Sequence, residues 1–310
     1  MPEPRTTHEP EELLLDAGGR RLAARRHGPS DGIKVLALHG WLDNAMSFAP
    51  LAHELAGLDL VALDFPGHGR SAHRPPNTWY HYIDYVDDAI AALDGLGWER
   101  CIVMGHSLGG AVASVLAAAR PRRVERLLLI EALGPLGARP GNAVAALRTG
   151  LDERAAVDPG RLRLFPDPSL AVTARMRGDA LSEAAARLLV ERSLMAVDGG
   201  FMWRSDPRLK VASPMRIHES TIREWLQAIE CPTLLIAADP SPPYFDASVR
   251  AERAACVRDL QQVVLPGSHH LHMETAAAVA EAIKEFLQRP PQAIGDRGSE
   301  IGKSASTHDG

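Results

Sequence analysis

The chain has 310 residues, of which 45% are apolar, and a formal net charge of −5, enough to bury one substantial core with room for an inserted subdomain. Lys, Arg, Asp and Glu are scattered through it, no basic stripe marks a nucleic-acid face, and no apolar run approaches the length of a membrane span, so neither partner is expected. The opening MPEPRTTHEPEE is acidic and proline-bearing where a secretory leader is basic and then apolar, which makes the cytosol the expected compartment. Cys101, Cys231 and Cys256 are odd in number and lack paired spacing, which argues against disulfides and a structural zinc site, and Cys101 is expected to pack in the core.

In chain order, an amphipathic leader is followed by an expected outer antiparallel strand at Arg20 to Gly28 and a buried strand at Ile33 to Leu38, ending in His39-Gly40. A helix is predicted at Ser47 to Ala56, a strand at Leu58 to Leu63 and a helix at Trp79 to Leu96. Strands are then expected at Cys101 to Met104, Leu127 to Ile130, Thr233 to Ala238 and Gln262 to Leu265, with a closing helix at Thr275 to Leu287. Regular alternation of strand and helix implies a parallel sheet with helices on both faces. Between Ile130 and Thr233 the rhythm breaks into amphipathic helical stretches such as Leu181 to Met195, with no buried strand. The expected organisation is a core of residues 12–131 and 230–288, a helical cap at 132–229, and a disordered tail at 289–310 that is rich in Pro, Gly, Ser and charge.

The most informative stretch is CIVMGHSLGG, Cys101 to Gly110. A short apolar run delivers Ser107 into a turn flanked by glycines, and the helix-forming run AVASVLAAA follows. Strand, tight turn and helix are the setting that a nucleophilic serine requires, because the small neighbours leave the hydroxyl free to project.

A neutral hydroxyl needs a base within hydrogen-bond reach and a group to orient that base. VVLPGSHHLHME, Val263 to Glu274, supplies His269, His270 and His272 after the last strand. His269 directly follows Gly267-Ser268, where the chain leaves the strand edge, and is assigned as the base; His270 and His272 are expected to pack or to begin the next helix. Apart from Glu274, which would cap that helix, no carboxylate or cysteine stands at ligand spacing, so no metal is expected. The oxyanion formed on attack would rest on the backbone amides of Leu108 and Trp41, with His39 orienting the Trp41 loop. For the acid, Glu131 ends one apolar strand and Asp239 another. Glu131 is preferred, because a carboxylate ending a fully apolar strand is costly without a partner. Asp239 is the alternative and Asp246 a third candidate.

These motifs resemble the α/β-hydrolase superfamily over about residues 12 to 288. HGWLDN (His39 to Asn44), DFPGHGRS (Asp64 to Ser71), GHSLGG (Gly105 to Gly110) and PGSHHLHME (Pro266 to Glu274) fall in its order, and HGWLDNAMSF is most similar to the serine hydrolase-like branch. The resemblance implies an α/β fold with an eight-stranded, mostly parallel sheet flanked by helices, an inserted helical lid, no cofactor and an acyl-enzyme mechanism. One departure concerns the acid: aligning the family's G-x-x-D motif on Ala238 puts Ser241 where the acid would stand, whereas Glu131 matches members that carry it after the preceding strand. Ser107 argues against the aspartate-nucleophile chemistries of dehalogenases and epoxide hydrolases.

The expected function is hydrolysis of an ester or related acyl bond of a small, apolar substrate, in a pocket lined by Trp41, Met46, Phe201, Met202 and Trp203. Alternatives on the same residues are carbon–carbon bond or thioester hydrolysis, and a ligand receptor is the non-enzymatic alternative. The sequence carries no signal for oligomeric state.

Overall fold

The apolar runs form strands in the computed structural model of the protein, which describes residues 9–138, 140–158, 163–179, 181–242, 245 and 247–290. The strands are β1 (Glu11–Asp16), β2 (Arg21–His27), β3 (Ile33–Leu38), β4 (Leu58–Leu63), β5 (Cys101–His106), β6 (Val124–Ile130), β7 (Leu194–Val197), β8 (Gly200–Trp203), β9 (Thr233–Asp239) and β10 (Leu260–Pro266). Eight of them make one sheet in the order β1-β2-β4-β3-β5-β6-β9-β10. β2 pairs antiparallel with both β1 and β4, and every other neighbouring pair is parallel. The expected eight-stranded, mostly parallel α/β sheet is therefore present. β4 and β5 are buried along their whole length, as strands covered on both faces must be.

The helices are α1 (Ala49–Glu54), α2 (Tyr82–Gly95), α3 (Leu108–Ala119), α4 (Ala143–Ala156), α5 (Pro168–Asp179), α6 (Glu183–Ser193), α7 (Glu219–Gln227), α8 (Ala247–Ala254), α9 (Leu271–Glu274) and α10 (Ala276–Leu287). Side-chain alternation along the strands divides the core between the two faces. Leu127 and Leu129 pack with Leu93 of α2 and Leu116 of α3, while Leu128 and Ile130 pack with Leu51 of α1 and Phe286 of α10. No helix among the described residues is long and apolar enough to cross a membrane.

Four local expectations are corrected. The leader is strand β1, whose alternating EELLLD needs only one covered face and pairs with β2 at the sheet edge. The first helix is a 3-10 turn at Ala45–Phe48 running into α1. The excursion between β6 and β9 holds α4 to α7 and also the antiparallel pair β7–β8, so its helix α6 stops at Ser193 rather than Met195. The hairpin forms because Gly199 and Gly200 accept φ of 84° and 149°, conformations that side chains resist. Finally, Arg289 is held where a disordered tail was expected: its carbonyl accepts from Arg126, and its guanidinium reaches Asp259 and Gln261. The rest of that tail from residue 291 lies outside the described residues.

The excursion has its own apolar cluster, in which Phe165, Val172, Leu189 and Val190 meet Met273 of α9. Among the described residues, Arg192 and Asn44 supply buried polar ties between it and the rest of the fold. Arg192 on α6 donates to Asp64 after β4 at 2.8 Å and to Glu12 on β1 at 2.7 Å, and Asn44 donates to the carbonyl of Leu189 at 2.8 Å.

Candidate active site

Ser107 sits between β5 and α3 with φ 50° and ψ −112°. This is the mirror image of extended backbone, a region natural to glycine, and holding a serine there costs on the order of 1–3 kcal/mol. The surroundings enforce it: the Ser107 amide donates to the Ile130 carbonyl at 3.0 Å, and the Ser107 carbonyl accepts from Ala111 at 2.9 Å. Gly105 and Gly109 are required by close approach, since a Cβ on Gly105 would stand 2.3 Å from the Gly109 carbonyl oxygen and one on Gly109 1.9 Å from that of Leu38. The start of α3 is thereby pressed against the end of β3.

That contact brings the Trp41 loop to the elbow. A Cβ on Gly40 would stand 2.8 Å from Nδ1 of His106, the residue before the serine. His39 is fully buried; its Nδ1 donates to the Gly40 carbonyl at 2.7 Å and its Nε2 accepts from the Phe65 amide at 3.0 Å. Burial pushes the His39 pKa down, in keeping with a neutral ring that fixes the loop. Leu108 opens α3, where the first amides have no partner within the helix, and neither the Leu108 nor the Trp41 amide makes a hydrogen bond among the described residues.

Glu131 is buried at the end of β6 with φ 57°. Its Oε1 accepts from the Ala238 amide at 2.5 Å, and its Oε2 lies 3.2 Å from Nδ1 of His269, which donates to it. The amide of Glu131 donates to the Ile236 carbonyl at 2.9 Å, so the residue is fastened to β9 at both ends. Asp239 closes β9 with an exposed side chain, and among the described residues no hydrogen bond or ion pair reaches its carboxylate. Asp246 lies outside the described residues.

His269 is also tied to the elbow through its backbone. The Nε2 of His106 donates to the His269 carbonyl at 2.9 Å, and the two rings stand 4.7 Å apart. His270 and His272 are buried, His272 against Phe48 with ring centroids 5.2 Å apart. Glu274 does not cap α10; its Oε1 accepts from the Ser182 amide at 2.7 Å and binds the excursion. Of the residues expected to line a pocket, Trp41 is 53% exposed and its indole donates to the Leu209 carbonyl at 3.0 Å. Phe201 and Trp203 pack on the cluster around Phe165.

Sequence reasoning passed over two carboxylates. Asp43 and Asp64 are both buried. Asp64 accepts from the amides of Ala45 and Arg70, both at 2.8 Å, as well as from Arg192. Asp43 pairs with Arg175 of α5. The only signal for either was its place inside a dense motif, HGWLDN or DFPGHGRS, where an acid follows apolar residues.

Residues 35–282 match the model of the Alpha/beta hydrolase family. A serine hydrolase-like protein of Dictyostelium discoideum is 32% identical over 89% of this chain and 81% of its own length. Among solved structures, a hypothetical protein of Pseudomonas aeruginosa superposes with a TM-score of 0.84 at 41% identity, covering 90% of this chain and 100% of that one. A thioesterase domain from the curacin biosynthetic pathway gives a TM-score of 0.79 at 28% identity, covering 89% of this chain and 100% of that one.

Proposed function

The chain belongs to the alpha/beta hydrolase family, and from that premise we propose that it is a serine hydrolase that cleaves an ester or related acyl bond of a small apolar substrate through an acyl-enzyme. Ser107 is the nucleophile, His269 the base, Glu131 the acid, and the amides of Trp41 and Leu108 form the oxyanion hole. Residues 132–229 serve as the cap over the substrate.

In this mechanism the Ser107 hydroxyl adds to the substrate carbonyl while His269 takes its proton. The Glu131 carboxylate steadies the imidazolium through Nδ1–H, and the two amides receive the charge that collects on oxygen. His269 returns the proton to the departing alkoxide as the tetrahedral adduct collapses. Water, deprotonated by the same imidazole, then releases the acid and restores Ser107.

The observation that carries this reading is the 3.2 Å approach of Glu131 to Nδ1 of His269, on a residue whose carbonyl is bound by the ring next to Ser107. The strained φ of Ser107 supports it as well. A thioester is the second substrate class, supported by the likeness to the thioesterase domain. The three free cysteines suit a reducing compartment and support a cytosolic enzyme.

Reaction with a fluorophosphonate probe, followed by peptide mapping, tests the proposal. Labelling of Ser107 that disappears in His269→Ala is expected. No labelling of a folded wild-type protein would overturn it in favour of a receptor. Parallel assays on p-nitrophenyl esters of graded chain length and on acyl thioesters separate the two substrate classes.

A further inference from the structure

Behind the elbow, three donor atoms from distant parts of the chain converge. Oδ2 of Asp43 lies 3.5 Å from Nδ1 of His106 and 3.5 Å from Nε2 of His270, and all three atoms fall within 4.8 Å of one another. We propose that Asp43, His106 and His270 form a binding site for a divalent transition-metal ion such as Zn²⁺.

The spacing fits a shared central ion better than hydrogen bonding. Charge-assisted N–H···O⁻ contacts close to about 2.7–2.9 Å, whereas ligands set tetrahedrally around a zinc ion at about 2.0–2.1 Å are roughly 3.4 Å apart. Among the described residues, the buried Oδ2 of Asp43 and Nδ1 of His106 have no hydrogen-bond partner.

The tautomer of His106 sharpens the point. Its Nε2 faces the His269 carbonyl, which can only accept, so Nε2 carries the hydrogen and in the neutral ring Nδ1 presents a bare lone pair. A lone pair and a carboxylate oxygen therefore face each other across a buried gap, an arrangement that a cation between them stabilises.

The outer contacts are those a ligand set needs. Arg175 occupies Oδ1 of Asp43 and leaves Oδ2 free to ligate, and the His269 carbonyl orients the ring of His106. Two imidazoles and one carboxylate are a borderline donor set suited to Zn²⁺, Co²⁺ or Ni²⁺, with a fourth position open to water. Sequence spacing hid this set because its carboxylate precedes the first histidine by more than sixty positions. A bound ion would clamp the residue before Ser107 to the residue after His269.

The test is titration of chelator-stripped, full-length protein with Co²⁺. One equivalent is expected to bind with the visible bands of tetrahedral N/O ligation, to be displaced by Zn²⁺, and to lose affinity at least about 100-fold in Asp43→Asn and His270→Gln. X-ray absorption of the Zn²⁺-loaded wild type, which depends on no variant, should show imidazole scattering in a nitrogen and oxygen shell. Folded wild type that binds no stoichiometric ion, full-strength binding in both variants, or a sulfur shell would each overturn the site. The readout is binding, so its failure is distinct from failure of the hydrolase reading.

Discussion

Glu131 and His269 lie 138 positions apart in sequence, yet the carboxylate of one accepts from the imidazole of the other at 3.2 Å. The second carboxylate oxygen is held by the Ala238 amide, which leaves Oε2 aimed at the ring. Glu131→Gln should therefore lower kcat about 10³–10⁴-fold with a much smaller change in KM, because an amide misorients the ring and cannot balance the imidazolium. Asp239→Asn should stay within about threefold of wild type. Steady-state kinetics on a p-nitrophenyl ester decides; near-normal turnover in Glu131→Gln with loss in Asp239→Asn would reverse the assignment.

Ser107→Gly should abolish turnover and raise stability. The backbone at φ 50° and ψ −112° is open to glycine and strained for serine, so relief is expected to add on the order of 1 kcal/mol and roughly 2 °C in Tm. Calorimetry beside Ser107→Ala, which keeps a Cβ, isolates the backbone contribution. Equal Tm values for the two variants would show that Ser107 is not strained.

Acid should weaken the fold through its buried histidines. Burial pushes His27 down to about 4 and His68 down to about 3, and lowers His39 and His272 in the same direction. Below the ordinary value near 6.5 the unfolded chain takes up protons that the folded rings refuse, so stability is lost as pH falls from about 6.5 toward 4. For His27 and His68 the cost is about 1.4 kcal/mol per ring per pH unit in that window, and His39 and His272 add in the same direction. Asp88 opposes them: burial raises it to about 6, so its own contribution favours the folded state as pH falls through that value. The histidines outnumber it, and urea midpoints should drop by at least about 1 M between pH 7.5 and 5. An unchanged midpoint would contradict the buried, neutral state of these rings.

Arg192→Met should destabilise by about 3–5 kcal/mol, because it leaves Asp64 buried without its cation. The loss should be less than additive when combined with Asp64→Asn, since the two side chains are in direct contact at 2.8 Å. Denaturant unfolding of the two single variants and the double variant measures the coupling. Strict additivity would mean that the pair does not tie the excursion to the sheet.

The sheet was legible because its central strands are continuous apolar runs such as IKVLAL and TLLIAA, long enough to bury and too short to be helices. β1 escaped notice because an edge strand covered on one face can carry charges, and EELLLD reads as easily as an amphipathic leader. β7 and β8 are four residues each, below the length at which alternation is distinctive. In the candidate site, Glu131 stood out by ending an apolar strand. The burial of Asp43 and Asp64 is a tertiary property: each sits in a loop, and only the packing of α5 and α6 over those loops removes them from water and supplies arginines.

Met273 belongs to the short helix that follows His269, yet it packs inside the cluster of the β6–β9 excursion, and Glu274 beside it takes the Ser182 amide of that same layer. A chimera that exchanges residues 132–229 with a relative would strip both neighbours from their sockets and let the loop carrying His269 settle differently. Any graft meant to change selectivity must therefore transplant the 273–274 contacts together with the layer they hold.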